Sequence, residues 1–212
     1  MFENITPEHS VAFDAIVRAR HSVREFSSSV PSREAVESII QAGLLAPFGA
    51  LAVAGKSDFR KVIIFRKSSS ALKEAERIIK NRIAKLADEI EKKLGLIPYV
   101  QILRRFGQQG TPAVSNAPYY VVIGESKGIP PVAAHSLCYS LQNMWLKATS
   151  LGIGIQIISL TTQMDNDPEF CKLLNLPVGE YALDGCALGY PADRYQPPPV
   201  KYPTLEESVS WL

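Results

Sequence analysis

Fifteen prolines punctuate this 212-residue chain, and their placement limits where regular structure can run. Proline fixes φ, lacks an amide N–H and pushes the preceding residue out of helical geometry. Elements must therefore start on prolines or stop before them. Thr6-Pro7-Glu8 and Asp167-Pro168 each read as a capping residue followed by proline at the first helical position. Pro31 sits in a turn, Pro47 ends a helix and Pro118 precedes a strand. Pro177 and Pro191 mark further ends. Pro197-Pro198-Pro199 and Pro203 forbid a helix before Thr204, so residues 192–212 read as an extended arm.

Between these marks the apolar residues choose the elements. A first helix runs to about Ala19. In a second, capped by Ser32, Val36, Ile39, Ile40, Gly43 and Leu44 recur at helical spacing. A long charged helix from Ser70 to about Leu94 shows one apolar face. The segment Val132–Leu151 is apolar nearly all round, as a core or interface helix is. Phe59–Phe65, Tyr119–Gly124, Ile155–Ile158 and Tyr181–Leu188 are short, β-branched runs that read as strands. A last short helix follows Asp167 and stops near Asn175. The order predicts an α+β domain with a central, mainly antiparallel sheet flanked by helices.

Composition removes several functions. Twenty-three basic and 21 acidic residues leave +2, too balanced for a protein whose main partner is nucleic acid. No run is long and apolar enough for a membrane span, and the first residues carry no secretory pattern. Cys138, Cys171 and Cys186 are widely spaced and odd in number, which argues against a disulfide scaffold or a metal cluster. The expectation is a cytoplasmic protein with reduced thiols and no metal ligands. His9 and His135 are lone helix histidines, and no hydrolase constellation occurs.

One segment points to chemistry: Arg20-His21-Ser22-Val23-Arg24-Glu25-Phe26. In extended chain alternate side chains share a face, which groups Arg20, Ser22 and Arg24. Two forked guanidiniums and a hydroxyl suit a dianionic phosphate. The same residues would also serve as solvated arginines on an exposed strand edge.

The segment R-H-S-V-R-E-F, after a helix and before one ending L-A-P, resembles the opening of the FMN-dependent nitroreductase family. The resemblance continues through Gln142–Ala148 into Leu151-Gly152-Ile153-Gly154. It resumes at Ala187-Leu188-Gly189-Tyr190-Pro191 and in the proline-rich tail with Leu205-Glu206-Glu207-Ser208-Val209. These pieces cover most of the chain in the family's order. The resemblance implies FMN held without a covalent bond at a homodimer interface. It assigns Arg20, Ser22 and Arg24 to the phosphate and ribityl chain, with His21 beside them, and Lys201 near the phosphate. Pro47, Phe48 and Gly49 would approach the ring from the partner subunit. Ile158, Ser159 and Leu160 would offer backbone amides to it. Gln142 and Asn143 are more simply read as satisfying a neighbouring helix end.

The family usually continues from A-P-S into N-x-Q-P-W. Here Phe48 replaces the serine, and Leu51–Arg60 lacks the asparagine, glutamine and tryptophan. No G-x-G-x-x-G loop is present, so a separate nicotinamide-binding domain is not expected. The expectation is a flavin-binding domain over residues 1–191 and an arm over 192–212 that packs on the partner in an intertwined dimer. Hydride would pass from NAD(P)H through FMN to an electron-poor acceptor such as a nitro compound or quinone. No catalytic side chain is required, because the cofactor carries the chemistry. The alternative is a flavin-binding sensor or store without turnover.

Overall fold

The computed structural model of the chain describes residues 4–211. Helix α1 (Pro7–Ala19) opens on Thr6, whose amide donates to His9 Nδ1 at 3.2 Å. Helix α2 (Arg33–Leu44) is capped by Ser32 Oγ, which accepts from the Ala35 amide at 3.2 Å. A single turn, α3 (Ala50–Val53), precedes strand β1 (Arg60–Arg66). Then come α4 (Ser70–Leu94), α5 (Pro98–Gln109), the short α6 (Pro112–Asn116) and β2 (Tyr119–Ser126). Helix α7 (Ala133–Ser150) leads to β3 (Gly154–Ile157), a 3-10 turn (Ser159–Gln163), α8 (Pro168–Leu174), β4 (Tyr181–Gly189) and the single-turn α9 (Leu205–Ser208).

The strands lie in the order β1-β2-β4-β3, with every neighbouring pair antiparallel. The fold is α+β, with a central antiparallel sheet flanked by helices, as the order of elements predicts. The sheet separates two cores. On one face Tyr120, Val122 and Ala187 meet Leu72, Ile79 and Ile83 of α4 and Leu103 of α5. On the other Val121, Ile123 and Cys186 meet Ile39 of α2 and Leu137, Leu141 and Met144 of α7. Strand β2 is covered on both sides, which is why its run is apolar without alternation. Helices α2 and α7 cross closely at Gly43, where a Cβ would sit 2.6 Å from Met144 Cγ.

Residues 20–26 extend the sheet beyond β3. Ser22 bridges Ile155 in parallel, and the Val23 amide donates to the Ile155 carbonyl at 3.1 Å. Val23 is buried against Gly154, where any Cβ would lie 2.3 Å from Val23 Cγ2. That contact fixes which face of the segment turns inward. The five predicted helices and the four strands sit within a few residues of their predicted bounds.

Four stretches read as loop or extended chain, or left unassigned, are helical, one of them the turn α9 within the arm, which Thr204 caps. Leu51–Arg60 begins with α3, whose Ala52 and Val53 are buried and whose left-handed Ala54 ends the turn. The region between α4 and β2 contains α5, with Pro98 at its first turn and Val100 and Leu103 buried. The strand end after Ile157 winds into the 3-10 turn.

The proximal arm lies along its own chain. The Ala192 amide donates to the Glu25 carbonyl at 3.0 Å, and Tyr195 Oη donates to the Ser22 carbonyl. Beyond Thr204 the arm is exposed, with Leu205 81% and Trp211 95% accessible. No helix among the described residues is long and apolar enough to cross a membrane.

Candidate functional site: a basic end joined to an apolar cavity

Arg20, Ser22 and Arg24 share one face of the added strand because Val23, between them, is locked inward. They line a cavity of about 270 Å³, together with His21 and the arm residues Pro197, Pro198, Val200 and Tyr202. The grouping that alternation predicts is therefore present. His21 donates from Nδ1 to the Ala19 carbonyl at 2.8 Å, and its ring stacks on Tyr195 with centroids 6.0 Å apart. Trp145 Nε1 donates to the His21 carbonyl at 3.2 Å, and the Arg20 guanidinium lies 4.5 Å over the Trp145 ring. Two aromatic residues from α7 and the arm thus hold the strand and one of its cations in place. Neither Arg20 nor Arg24 forms an ion pair among the described residues, so both charges are available to an anion.

Lys201 is not brought into this lining. Its neighbours Val200 and Tyr202 are, and in extended chain the residue between two inward side chains faces away.

Arg24 also borders a second, larger cavity of about 620 Å³, within the size range of small-molecule sites. Ile158, Ser159 and Leu160 form its floor at the end of β3. Its wall is the α4–α5 hairpin, chiefly Ile83, Leu86, Tyr99, Ile102 and Phe106. Sequence reasoning missed this wall, although Pro98 and the spacing of Val100, Leu103 and Phe106 signal a helix. The 3-10 turn leaves the amides of Ser159 and Leu160 without helical acceptors, as the first turn of a helix does. Two polar side-chain atoms in the same lining, Thr111 Oγ1 and Gln156 Oε1, are buried and have no partner among the described residues. The pair of cavities, one basic and one apolar with unused polar groups, fits a ligand with an anionic end and a flat ring end. Arg24 stands at the junction.

Pro47, Phe48 and Gly49 lie outside both linings of their own chain. Phe48 is 45% exposed and packs on Phe59, with centroids 4.3 Å apart. The backbone here is tied down from below by Arg60, the first residue of β1. Its Nε donates to Glu125 Oε2 at 2.8 Å, and its Nη1 donates to the carbonyls of Gly43 at 3.0 Å and Ala46 at 3.3 Å. Nη2 adds the Pro47 carbonyl at 3.4 Å. Both side chains are almost completely buried. The guanidinium thus serves as the C-terminal cap of α2 and fixes the exit of the Pro47–Gly49 segment. Nothing in the local sequence marks Arg60 for this.

Asn143 Nδ2 donates to the Ala42 carbonyl at 3.2 Å, the helix-end role expected for it, while Gln142 is exposed. Of the cysteines, Cys138 is exposed and Cys171 and Cys186 are buried, all as free thiols.

Asp184, on β4, is pushed up to about 6 by burial, offset only in part by the Gly185 amide at 2.7 Å. A carboxyl raised above its ordinary 3.8 favours folding below that value and loses the advantage as pH rises through about 6. At neutral pH its charge therefore opposes folding. One pH unit corresponds to about 1.4 kcal/mol, so the opposition is on the order of 2–3 kcal/mol. Asp184→Asn is expected to gain most of that at pH 7.5 and almost nothing at pH 4, measured by urea unfolding at both. An equal effect at the two pH values would contradict this reading of Asp184.

Comparison with known proteins agrees with this architecture. Residues 17–190 match the profile of the Nitroreductase family. No curated protein matches the chain. Among solved structures, a nitroreductase with bound FMN from Bacteroides fragilis NCTC 9343 is 24% identical, with a TM-score of 0.72. That match covers 94% of this chain and 97% of the other. A BluB-like flavoprotein from Clostridium difficile 630 is 19% identical, with a TM-score of 0.71 over 94% and 98% of the two chains. Iodotyrosine deiodinase bound to FMN and 3-iodo-L-tyrosine is 21% identical, with a TM-score of 0.67 over the same shares. With the profile spanning most of its length and the fold shared across almost all of it, the chain belongs to the nitroreductase family.

Proposed function

We propose that this protein is an FMN-dependent oxidoreductase that passes electrons from NAD(P)H to an electron-poor acceptor. The observation that carries the reading is the junction at Arg24. Arg24 lines both a basic cavity fit for a phosphate and an apolar cavity large enough for a ring and a second flat molecule. When bound, FMN supplies two-electron chemistry between a nicotinamide and an acceptor. The chain's residues do the rest. Arg20 and Ser22 hold the phosphate, with His21 setting the backbone beside them. Arg24, which lines both cavities, would supply positive charge where the bound cofactor gains negative charge on reduction. The amides of Ser159 and Leu160, following Ile158, donate to the ring edge. Ile83, Leu86 and Phe106 exclude water and accept an apolar acceptor such as a quinone or nitroarene. FMN-bound family relatives of the same fold support the cofactor.

The working form we propose is a homodimer. Helix α1 buries no residue of its own, and Val11, Phe13, Leu45 and Leu51 are exposed. An apolar groove of about 330 Å³ between α1, α2 and α7 is lined by Phe13, Ile16, Leu45 and Leu146. A second copy covers this surface, bringing its Pro47–Gly49 segment towards the ring and seating the exposed distal arm.

The test is spectroscopic. Purified protein given FMN is expected to retain the two visible absorption bands of a bound flavin through gel filtration. Anaerobic NADPH or NADH is then expected to bleach the longer-wavelength band. Protein that retains no flavin refutes the cofactor assignment. Retention without bleaching by either nucleotide would point to a flavin-binding protein without turnover.

A further inference from the structure

The turn that joins α4 to α5 holds apolar side chains outward. Gly95 ends α4 with φ +76°, a left-handed geometry that lets the chain reverse, and its amide donates to the Glu91 carbonyl at 2.8 Å. Ile97 packs back against the core, while Leu94 and Leu96, on either side of the glycine, are 68% and 60% exposed. Leu94 follows Ile90 by one helical turn, so it continues the stripe of Ile83, Leu86 and Ile90 that lines the larger cavity. Across the turn, Tyr99 and Ile102 belong to the same lining and are half-exposed. The apolar stripe thus runs from the cavity wall out to the tip of the hairpin. The charges around this tip are one-sided. Residues 80–106 contain seven basic side chains and three acidic ones, an excess of four in a chain whose total is +2. All three acids are already paired, Glu89 with Arg82 at 2.9 Å and both Asp88 and Glu91 with Arg104. Lys85, Lys92, Lys93 and Arg105 are exposed and form no ion pair among the described residues. Lys92 and Lys93 stand in the last turn of α4, immediately before Leu94.

We propose that the α4–α5 tip docks on an anionic lipid bilayer. Leu94 and Leu96 enter the boundary between headgroups and acyl chains, and Lys92 and Lys93 meet the headgroup phosphates. An exposed apolar turn beside unpaired lysines matches such a surface on both counts. A second copy of the same tip would cover the leucines but set lysine against lysine. A nucleic acid would neutralise the lysines and leave the leucines in water. No helix among the described residues is long and apolar enough to cross a membrane, so the contact is peripheral, and two leucines make it reversible. Because Leu94 continues the stripe of the cavity wall, docking turns the mouth of the larger cavity towards the lipid. The docking surface is independent of what either cavity binds.

The test uses the full-length protein and two kinds of vesicle, phosphatidylcholine alone and phosphatidylcholine mixed with phosphatidylserine, with binding read by co-sedimentation. Wild-type protein is expected to bind the mixed vesicles about tenfold or more tightly than the neutral ones, and to lose that preference as salt shortens the Debye length. Each cation near an anionic surface contributes about fivefold, so Lys92→Gln with Lys93→Gln is expected to weaken binding to the mixed vesicles by about tenfold or more. Leu94→Ser with Leu96→Ser should weaken it by about tenfold and leave the salt dependence in place. All four side chains are exposed, so both double variants are expected to melt with the wild type. In a third variant, Leu96→Trp, the added tryptophan emission is expected to be quenched by vesicles whose acyl chains are brominated. Wild-type protein that sediments with neither vesicle overturns the proposal. So does binding that both double variants retain in full, since the contact then lies elsewhere on the chain. Loss in the lysine variant alone, with the leucine variant binding as wild type and the new tryptophan unquenched, reveals a surface for soluble anions and overturns bilayer docking as well.

Discussion

Arg60→Met is expected to destabilise the protein by about 3–5 kcal/mol, the range for stranding one member of a buried ion pair. The side chains of Arg60 and Glu125 are 3% and 1% exposed, so removing the guanidinium leaves a carboxylate with neither partner nor water. It also removes the donor from the carbonyls of Gly43, Ala46 and Pro47. In a chain of this size each kcal/mol is about 2–4 °C in melting temperature, so a fall of roughly 10 °C is the expected readout. Replacing both residues, Arg60→Met with Glu125→Leu, is expected to recover much of the loss, since no charge is then buried. The recovery should stay incomplete, because the carbonyls of Ala46 and Pro47 still lack that donor. The double-variant cycle measures the coupling directly. If the double variant were as unstable as the sum of the singles, the ion pair would not be the source of the effect.

The second large effect concerns the phosphate. Arg20→Ala is expected to cost about ten- to a hundredfold in FMN affinity, the range for a charge-assisted hydrogen bond. It should leave riboflavin, which lacks the phosphate, almost untouched. The side chain is already held over Trp145, so the native protein orders no long cation on binding and the whole contact is forfeited. Arg24→Ala should behave differently. Because Arg24 lines both cavities, it is expected to weaken FMN and riboflavin together. Isothermal titration of the two ligands against wild type and both variants separates these patterns. Equal weakening of FMN and riboflavin by Arg20→Ala would remove Arg20 from the phosphate site.

What the sequence discloses and what it hides divide along physical lines. The strands and the long helices are visible because their periodicity is local. The Arg20–Ser22–Arg24 face is visible because alternation in extended chain needs no tertiary information, and the inward Val23 confirms it. Lys201 shows the limit of carrying a role across by resemblance: the position matches, but the arm's alternation turns Val200 and Tyr202 to the cavity instead. Helix α5 is hidden for a different reason. Its apolar face is only three or four residues wide and is completed by α4, with Arg104, Arg105 and three glutamines making the remainder look like a loop. The Arg60–Glu125 pair spans 65 residues and exists only because the β1–β2 register sets the two opposite each other. The unpartnered state of Thr111 and Gln156 is likewise a property of the packed molecule alone. No motif could announce a bond that is absent.

The α4–α5 hairpin has an evolutionary corollary. Residues 67–118 form one continuous excursion between two adjacent antiparallel strands, and they carry the aliphatic and aromatic wall of the larger cavity. The cation-bearing strand, the β3 floor and the arm all lie elsewhere in the chain. Within α4 the labour is split along its length. Leu72, Ala75 and Ile79 anchor it in the core, and Ile83, Leu86 and Ile90 further along face the opening. Such a layout behaves as an exchangeable cassette. The shape of that wall can therefore change within one block of sequence while the cation-bearing strand, the β3 floor and the arm keep theirs.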